Sequence, residues 1–492
     1  MIRLNASAEI AATAAGPRWE RAGRKAGIVH IGIGAFHKAH QAVYTDDALA
    51  ASGGDWLIDG VSLRSADVAE AMNPQDGLYT LLVRGQEGVD ARVIGSIRRV
   101  LVAPHEPEAV LEALASPETK IVSLTITEKG YGLDPATGGI DRAHPSIAPD
   151  LADPRHPRGA VGFIVEGLRL RRDRNLPGFT VLCCDNLPSN GHVVERLVKE
   201  FTGAVQPDLL DFIDAKVTFP STMVDRITPA STEQTVLDAQ GLTGLEDRAA
   251  VETEPFTQWV IEDDFVAGRP DWGAGGAIFA ADVAPYEKMK LRMLNGAHSM
   301  LAYSGFMAGH KHVRDVMQDA SLATLVRRHM GAAAATLDPV AGISLDDYAD
   351  DLVRRFENPE IAHQTYQIAM DGTQKLPQRL AEPARFALAN GQKPGAFAFA
   401  VAAWMRYCLG MDETGERYKL RDPRDAEIEA LLADTGGDSS SIVDRLMNLP
   451  GLFPDAVAAS PEWNRAVASR LETMISKGMR AAIEDEARSL AG

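Results

Sequence analysis

Gly27-Ile28-Val29-His30-Ile31-Gly32-Ile33-Gly34-Ala35-Phe36-His37 is a short apolar run that ends in a glycine turn. A β-branched run of this kind predicts a buried strand, and helix-compatible sequence follows from about residue 36 to residue 51. Glycines at a strand-to-helix turn let a pyrophosphate approach the backbone, and the helix N-terminus offers unpaired N–H groups. The segment therefore predicts a dinucleotide-binding turn. Its candidate cofactor-binding residues are Gly32, Gly34, Ala35 and Phe36.

The turn departs from the dinucleotide fingerprint at one position. The fingerprint has a third small residue where this chain has His37. Taken alone, Gly32 and Gly34 fit an ordinary strand-to-helix turn equally well. The spacing of His37 and His40 would suit a metal ion, but no cysteine or acidic residue adjoins them. We expect structural histidines or contacts to the cofactor turn there, and we predict no metal site.

From residue 27 to about residue 285, short β-branched apolar runs alternate with helical patterns. This alternation predicts an α/β fold of the doubly wound Rossmann type, with a mostly parallel sheet covered by helices on both faces. The candidate strands are Ile28–Ile33, Trp56–Leu63, Lys120–Thr127, Phe179–Cys184 and Ala215–Phe219.

Polar residues follow several of these strands. Functional groups gather at the carboxyl ends of parallel strands, which makes Glu128, Asn186 and Asp225 candidate site residues. Two simpler interpretations stay open. Glu128 beside Lys129 fits an exposed ion pair, which contributes little to stability, and Asp225 fits a structural partner of Arg226.

The segment from Lys290 to Ser299 places an amine, a carboxamide and an imidazole on a predicted helix. At about 100° per residue, Lys290, His298 and Asn295 project near about 0°, 80° and 140°, so all three line one side. A deprotonated lysine can act as a base, an asparagine NH2 can hold an alkoxide, and an imidazole can orient a hydroxyl. These groups suit removal of a proton from a secondary alcohol, although polar residues on a helix usually face solvent.

The chain of 492 residues is too long for one ordinary core, so two domains are expected. Strand signals fade from about Tyr286 onward, and the remaining sequence is rich in Ala, Leu, Arg and Glu. We predict a dinucleotide-binding Rossmann-type domain at residues 1–285. A mostly helical domain for substrate binding and catalysis is predicted at residues 286–492, because ligand sites often lie at domain interfaces.

The composition limits the possible partners. A net charge of −18, with 68 acidic and 50 basic residues, argues against a nucleic-acid partner and against an anionic membrane surface. A small anionic substrate stays possible, because a few local cations can override the overall field. We expect a small-molecule substrate and a monomer or small homo-oligomer.

The compartment is predicted from the cysteines and from hydropathy. Three cysteines, two of them the neighbours Cys183 and Cys184, favour a reducing cytosol over a disulfide framework. No apolar run of 18 residues and no basic-then-apolar leader is present in the sequence. We therefore predict a cytoplasmic protein without a membrane span.

Five motifs in order resemble the mannitol dehydrogenase family of long-chain, metal-independent polyol and sugar-acid dehydrogenases. The resemblance covers about residue 25 to residue 485, and five ordered motifs are far more specific than any one of them. The motifs are Ile31-Gly32-Ile33-Gly34-Ala35-Phe36-His37-Lys38-Ala39-His40, Thr125-Ile126-Thr127-Glu128-Lys129-Gly130-Tyr131, Cys184-Asp185-Asn186-Leu187, Met223-Val224-Asp225-Arg226, and the segment from Lys290 to Ser299.

The resemblance implies a role for each candidate. By it, Lys290 is the general base, and Asn186 and Asn295 form the oxyanion site. His298 is then a ligand of substrate hydroxyls. Glu128 and Asp225 belong to the proton path and the polyol pocket.

The stretch from Gln364 to Gln378 resembles the fructuronate reductase branch of the family. Polyol-specific members tend to have arginine where this chain has Gln367. This resemblance implies NAD-dependent, reversible reduction of D-fructuronate to D-mannonate. The alternative is a mannitol 2-dehydrogenase or a related polyol enzyme that acts on fructose. A dinucleotide-binding sensor without turnover is a third possibility, against which the lysine, both asparagines and the histidine argue.

A uronate substrate requires a cation for its carboxylate, ideally a bidentate arginine. The candidate substrate-binding cations are Lys375, Arg379 and Arg226, beside Gln367 and Asp225. Lys375 also fits a simple turn residue after Asp371-Gly372.

The choice of cofactor depends on the residues after the second strand. Arg64 would suit the 2′-phosphate of NADP, whereas Asp67 would repel it. The family resemblance favours NAD, and NADP stays open.

Overall fold

The structure is a computed structural model, and it describes residues 2–134, 137–361 and 363–489. The chain divides into two compact units, Met1–Ala284 (unit 1) and Pro285–Gly492 (unit 2). Across the described ranges, none of the helices is both long enough and apolar enough to cross a membrane.

Unit 1 contains all of the named strands. They are β1 Ala26–Ile31, β2 Leu57–Ser62, β3 Tyr79–Gly85, β4 Gly88–Ile94, β5 Ile97–Val102, β6 Ile121–Leu124, β7 Thr180–Cys183, β8 Thr222–Asp225, β9 Val251–Thr253, β10 Gln258–Glu262 and β11 Ile278–Ala280. Its helices are α1 Ala35–Ala39, α2 Gln41–Ser52, α3 Asp67–Met72, α4 Pro107–Leu114, α5 Ala148–Ala152, α6 Ala160–Asp173, α7 Asn190–Val205, α8 Leu210–Lys216 and α9 Glu233–Thr243.

The main sheet of unit 1 has five strands in the order β5-β2-β1-β6-β7, and every neighbouring pair is parallel. The chain runs outward from β1 in one direction to β2 and in the other to β6. This reversal is the topological switch point at which α/β sheets bind ligands. The predicted α/β, doubly wound fold is confirmed.

The strand β1 is buried on both faces, as its near-continuous apolar sequence requires. Val29 and Ile31 pack into a core formed with α4, α6 and α7. Ile28 faces the opposite core, to which α2, α3 and Trp259 contribute. Helices therefore cover both faces of the sheet.

The predicted strand Ala215–Phe219 is wrong. Its first two residues end α8, and only Thr218 forms an isolated bridge, to Thr180. Val217 and Phe219 are buried in the core, so the apolar pattern reflects burial and not a ladder. The strand that ends at Asp225 is β8, which belongs to a separate three-stranded sheet in the order β11-β10-β8.

The prediction missed β5, the edge strand of the main sheet. Arg98 and Arg99 interrupt its apolar pattern. Both guanidiniums bind the buried carboxylate of Asp59 in β2, at N–O distances of 2.6 and 3.1 Å. A third sheet in the order β4-β3-β9 was also not predicted.

Unit 2 is helical, and its described residues contain no strand longer than an isolated bridge. Its α-helices are α10 Ala284–Met289, α11 Gly296–Met307, α12 Val313–Gln318, α13 Ala320–Ala334, α14 Leu345–Phe356, α15 Thr365–Ile368, α16 Gly372–Leu376, α17 Glu382–Ala389, α18 Gly395–Cys408, α19 Asp425–Leu432, α20 Ser439–Met447, α21 Asp455–Ala458, α22 Pro461–Ser476 and α23 Met479–Arg488. Two further segments, Lys290–Asn295 and Pro377–Ala381, are π-helical.

The centre of unit 2 is formed by α11 and α18. Residues 396–408 of α18 are all buried, and so is nearly all of α11. A helix that is apolar on every side belongs inside a core, and α18 packs against α11 and α22. The prediction of a mostly helical second domain is confirmed.

The segment from Lys290 to Ser299 is helical, but it is not one α-helix. A π-helix closes its hydrogen bonds five residues along, so Lys290 and Asn295 lie one π-turn apart. His298 follows three residues later in α11, on the adjacent turn. The projection at 100° per residue is therefore wrong here, and the π segment aligns the three side chains more closely than an α-helix would.

Gly32 provides a test of the turn after β1. Its φ is +95°, and an added Cβ would lie 2.3 Å from the carbonyl oxygen of Thr125. We expect Gly32→Ala to lower the free energy of unfolding by at least about 2 kcal/mol, measured by urea denaturation. At Gly34, which has an extended backbone (φ −145°), an added Cβ meets only an oxygen 3.8 Å away, and the matched Gly34→Ala should change stability by less than about 0.5 kcal/mol. Equal losses in the two variants would contradict this assignment.

Candidate active site

The glycine turn lies at the carboxyl end of β1. Main-chain N–H groups of Gly32 and Ile33 donate to the carbonyl oxygen of Val61 in β2, at 2.9 and 3.2 Å. Gly34 then begins α1, and no side chain caps that helix end. An added Cβ at Gly34 would have one neighbour within 4 Å, the Gly32 carbonyl oxygen at 3.8 Å, so no side chain or strand crowds this side of Gly34. The turn is therefore compatible with a dinucleotide pyrophosphate.

The helix after the turn is shorter than predicted. It breaks at His40, where φ is −123° and ψ is −95°, and α2 begins at Gln41. His37 takes the position of the missing small residue, and its buried ring stacks on His30 of β1 with the centroids 3.4 Å apart. The stacked rings of His37 and His30 thus take the place of the close packing between helix and strand that a small residue allows in this fold.

Arg64 follows the carboxyl end of β2 and is exposed. Within the described ranges it has no ion-pair partner. Asp67 is also exposed and begins α3. The structure brings both residues to the strand end that contacts the ribose in this fold class.

Glu128 lies in a single 3-10 turn, Glu128–Gly130, after β6. The residue before it, Thr127, has a φ of +65° and a ψ of 157°, a strained conformation for a β-branched residue. The side chain of Glu128 is exposed, and no ion pair of Glu128 with Lys129 occurs among the described contacts. The simple ion-pair interpretation therefore lacks support.

Asp185 holds this turn and was not recognised in the sequence as a site residue. Its carboxylate accepts hydrogen bonds from the main-chain N–H groups of Ile126 (2.8 Å) and Thr127 (3.0 Å) and from the Tyr131 hydroxyl (2.7 Å). Burial raises the pKa of the Asp185 carboxyl, although these hydrogen bonds oppose the rise. The signal in the sequence was its place at a strand end, directly before Asn186.

Asn190 is a second residue that the sequence interpretation missed. Its buried carboxamide nitrogen lies 3.0–3.1 Å from the carbonyl oxygens of Cys183, Asp185 and Thr222, and its oxygen accepts the Thr222 N–H at 2.9 Å. These bonds tie the end of β7 to the start of β8. Asn190 thereby links the exposed turn that carries Asn186 to the strand that ends at Asp225.

Asp225 is buried at the end of β8, as a pocket residue should be, but its neighbour Arg226 does not fit the predicted role. The Arg226 guanidinium donates to the main-chain carbonyls of Ala39 (2.6 Å) and Glu254 (3.1 and 3.3 Å). Burial lowers the pKa of Arg226 to about 10. Arg226 therefore clamps the end of α1 to the loop after β9, and we withdraw it as a substrate ligand.

In unit 2, the imidazole of His298 is buried and stacks on Phe356, with the ring centroids 4.5 Å apart. Its Nε2 has no hydrogen-bond partner in the described part of the chain. Burial, followed by the charges of His363 and Arg355, holds the pKa of His298 well below its usual value. The ring is therefore neutral at physiological pH.

Two further cations lie close enough to His298 to lower its pKa, and both were predicted as candidates: Lys375 and Arg379. The Lys375 amine donates to the carbonyls of Met370 (2.6 Å) and Ile368 (3.3 Å). Burial, with a smaller contribution from Arg379, lowers the pKa of Lys375 to about 8. The simpler interpretation of Lys375 as a turn residue is thus true in part.

Arg379 belongs to the second π-helical segment, which packs against the one that carries Lys290 and Asn295. Gly296 permits this contact, because an added Cβ there would lie 3.0 Å from the Arg379 carbonyl oxygen. Burial lowers the pKa of the Arg379 guanidinium to about 10. Gln367 is exposed on α15, which packs against α11.

The predicted residues thus form two groups. In unit 1, Asp185 and Asn190 bring together the segments that carry Glu128, Asn186 and Asp225. In unit 2, the predicted residues Lys290, Asn295, His298, Lys375 and Arg379 lie on α11 and on the segments that surround it. No cluster of three or more His, Cys, Asp or Glu side chains suited to a metal ion occurs in residues 2–134, 137–361 and 363–489.

Asn190 and Asn186 provide a matched pair for a stability test. Asn190→Ala removes the amide donor to the Asp185 and Thr222 carbonyls and the acceptor of the Thr222 N–H, and we expect it to lower the free energy of unfolding by about 3 kcal/mol. Asn186→Ala, on the exposed part of the same turn, should cost no more than about 0.5 kcal/mol. Urea denaturation of the two variants measures this difference, and a stable Asn190→Ala protein would refute the proposed link between β7 and β8.

Comparisons with known proteins identify the family of this chain. The profile of the Mannitol dehydrogenase Rossmann domain matches residues 26–274, and that of the Mannitol dehydrogenase C-terminal domain matches residues 282–475. The D-mannonate oxidoreductase of Escherichia coli (strain K12) is 44% identical over 469 residues, which cover 94% of this chain and 96% of that protein.

Two solved structures are similar over almost the whole chain. The Pseudomonas fluorescens mannitol 2-dehydrogenase, in a ternary complex with NAD and D-mannitol, has a TM-score of 0.84 and 38% identity, covering 99% of this chain and 100% of that one. A substrate-free D-sorbitol dehydrogenase has a TM-score of 0.91 and 35% identity, covering 98% of this chain and 100% of that one. With both family profiles matched in order, the chain belongs to the mannitol dehydrogenase family.

Proposed function

We propose that this chain is an NAD-dependent oxidoreductase that reversibly reduces D-fructuronate to D-mannonate. Family membership and the similarity to D-mannonate oxidoreductase support a sugar acid or polyol as the substrate. The sparse cysteines, all three unpaired and buried, support a cytoplasmic location.

The choice of a sugar acid over a neutral ketose depends on Arg379. Its guanidinium is half-buried, donates one hydrogen bond, to the Ser299 hydroxyl at 3.3 Å, and meets no carboxylate in the described ranges. Arginine in such surroundings is suited to bidentate binding of a carboxylate, which a uronate carries and fructose lacks. Lys375, with a pKa of about 8, is mostly protonated at neutral pH and adds a second positive charge.

Lys290 is the proposed general acid and base. In the reductive direction its ammonium gives a proton to the carbonyl oxygen of the substrate, and in the oxidative direction its amine removes that proton from the hydroxyl. The nicotinamide cofactor, when bound, supplies or accepts the hydride. Asn186 and Asn295 are the proposed N–H donors that stabilise negative charge as it develops on the substrate oxygen. Because both amides are neutral, they stabilise the alkoxide without neutralising Lys290, the base.

The remaining candidates bind hydroxyls or carry protons. A neutral imidazole can donate at one nitrogen and accept at the other, so His298 suits a substrate hydroxyl. Asp225 is a buried acceptor for another hydroxyl. Glu128, which is exposed, suits exchange of the proton with solvent. Gln367 is proposed to contribute to substrate specificity.

The proposed cofactor residues are Gly32, Gly34, Ala35, Phe36 and Arg64. The uncrowded surroundings of Gly34, where an added Cβ would meet only one oxygen at 3.8 Å, support a bound pyrophosphate. NAD is favoured because the Pseudomonas fluorescens relative was solved with NAD, whereas the exposed Arg64 would also suit NADP.

A mannitol 2-dehydrogenase is the alternative function. The relative solved with D-mannitol aligns with 99% of this chain, so a polyol activity is compatible with the same Lys290 chemistry. The two functions differ in whether Arg379 contributes to binding.

Lys290→Met tests whether the chain is an enzyme or a cofactor-binding sensor. We expect kcat to fall by about a thousandfold, as for loss of a general acid, while the Kd for NADH, measured by fluorescence titration, changes less than about twofold. Lys288→Met is the control, because Lys288 is exposed on the preceding turn and should leave kcat unchanged. An unchanged kcat in Lys290→Met would contradict the mechanism.

Arg379→Met tests the sugar-acid assignment. Loss of a charged hydrogen-bonding partner for the carboxylate should lower kcat/KM for D-fructuronate by about 100-fold, while kcat/KM for D-fructose changes less than about threefold. The control is Arg385→Met, since Arg385 is exposed and pairs with Glu382 on α17. Equal losses on both substrates would show that Arg379 does not recognise a carboxylate.

A further inference from the structure

The turn between β6 and Tyr131 is held in a conformation that its own sequence disfavours. Thr127 has a φ of +65° with an extended ψ of 157°. For a residue other than glycine, such a backbone costs on the order of 1–3 kcal/mol and persists only where the surroundings enforce it. A β-branched side chain makes this conformation still less favourable.

The carboxylate of Asp185 holds Thr127 in this conformation. One oxygen accepts the Thr127 N–H at 3.0 Å, and the other accepts the Ile126 N–H at 2.8 Å together with the Tyr131 hydroxyl at 2.7 Å. The Asp185 carboxylate therefore accepts hydrogen bonds from two consecutive main-chain N–H groups and from a side chain at the far end of the turn. Few other groups on a neighbouring strand can accept from both main-chain donors at once.

Asp185 stands between two proposed site residues. Along the chain it directly precedes Asn186, and its own carbonyl oxygen accepts from the Asn190 carboxamide at 3.0 Å. Across the sheet edge its carboxylate fixes the peptide that leads into Glu128. The position of Glu128 relative to Asn186 therefore depends on this carboxylate.

We propose that Asp185 is a positioning residue that holds the strained Thr127 peptide so that Glu128 can carry protons for the proposed reaction. The proposal rests on the proposed oxidoreductase function. It does not depend on whether the substrate is a sugar acid or a polyol. Asp185 acts through Glu128, so its loss should lower kcat no further than loss of the Glu128 carboxylate does.

Asp185→Asn is the direct test. The carboxamide has nearly the same shape but only one acceptor oxygen, so one of the two main-chain N–H groups would face an NH2 group. We expect amide hydrogen exchange across residues 126–130 to accelerate at least about tenfold, and kcat to fall between about 10- and 100-fold, with the Kd for NADH changed less than about twofold. Tyr131→Phe is the matched control, because it removes one hydrogen bond to the same carboxylate and leaves both main-chain bonds. Its kcat should stay within about threefold of the wild-type value.

A double-mutant cycle with Glu128→Gln distinguishes positioning from a general structural role. In the Glu128→Gln background, Asp185→Asn should change kcat less than about twofold, and the two single variants should alter the pH dependence of kcat in the same way. Losses that multiply in the double variant, or unchanged hydrogen exchange in Asp185→Asn, would overturn the proposal.

If Asp185→Asn alone does not fold, the same double-mutant cycle is measured in a protein that already carries Thr127→Gly. Glycine adopts a positive φ without steric cost, so the turn no longer depends on Asp185 to offset strain at residue 127. Rates are measured with whichever of D-fructuronate and D-fructose the wild-type protein reduces faster. A preference for fructose would refute the sugar-acid assignment and leave the inference about Asp185 to be decided by the cycle.

Discussion

Hydrogen bonding of β1 to β2 on one side and to β6 on the other is the constraint on which the rest of unit 1 depends. It creates the switch point and gathers the carboxyl ends of parallel strands along one edge of the sheet. Gly32 allows the turn to pass close to Thr125, where a side chain would collide. Once that edge is formed, Glu128 and Asn186 follow β6 and β7 there. The proposed chemistry on this unit follows from strand order.

Unit 2 contributes two cations, Lys375 and Arg379, that form no direct ion pair in the described part of the chain. Burial lowers the pKa values of Lys375 and Arg379 to about 8 and about 10, and neither has a carboxylate partner in the ranges that the structure describes. Both side chains donate to neutral groups only, and a buried or half-buried cation without a paired anion is costly, which is typical of ligand sites. The neutral imidazole of His298 beside them adds hydroxyl recognition. We propose that a ligand with both a carboxylate and hydroxyls binds all of these side chains, whereas a neutral ketose binds only some of them.

The sequence predicted the features that depend on local patterns and missed those that depend on tertiary hydrogen bonds. Alternating strands and helices predicted the doubly wound fold, and the strand ends supplied the candidate site residues Glu128, Asn186 and Asp225. The run Ala215–Phe219 misled because burial alone explains its apolar residues. Arg226 was taken for a ligand because its binding by distant carbonyls leaves no local signal. For the same reason Asp185 and Asn190, which position their neighbours, were not recognised. The π-helical geometry at Lys290–Asn295 likewise has no signature in spacing.

The central claim is that the cations of unit 2 select a sugar acid. The most direct measurement is the initial rate of NADH oxidation by the wild-type protein, with D-fructuronate and D-fructose supplied in parallel at neutral pH. The structure-based account predicts kcat/KM for D-fructuronate at least about 100-fold above that for D-fructose, as expected when a site built for a polar group meets a substrate that lacks it. Equal or faster turnover of D-fructose would contradict the assignment and place the chain among the polyol dehydrogenases of its family.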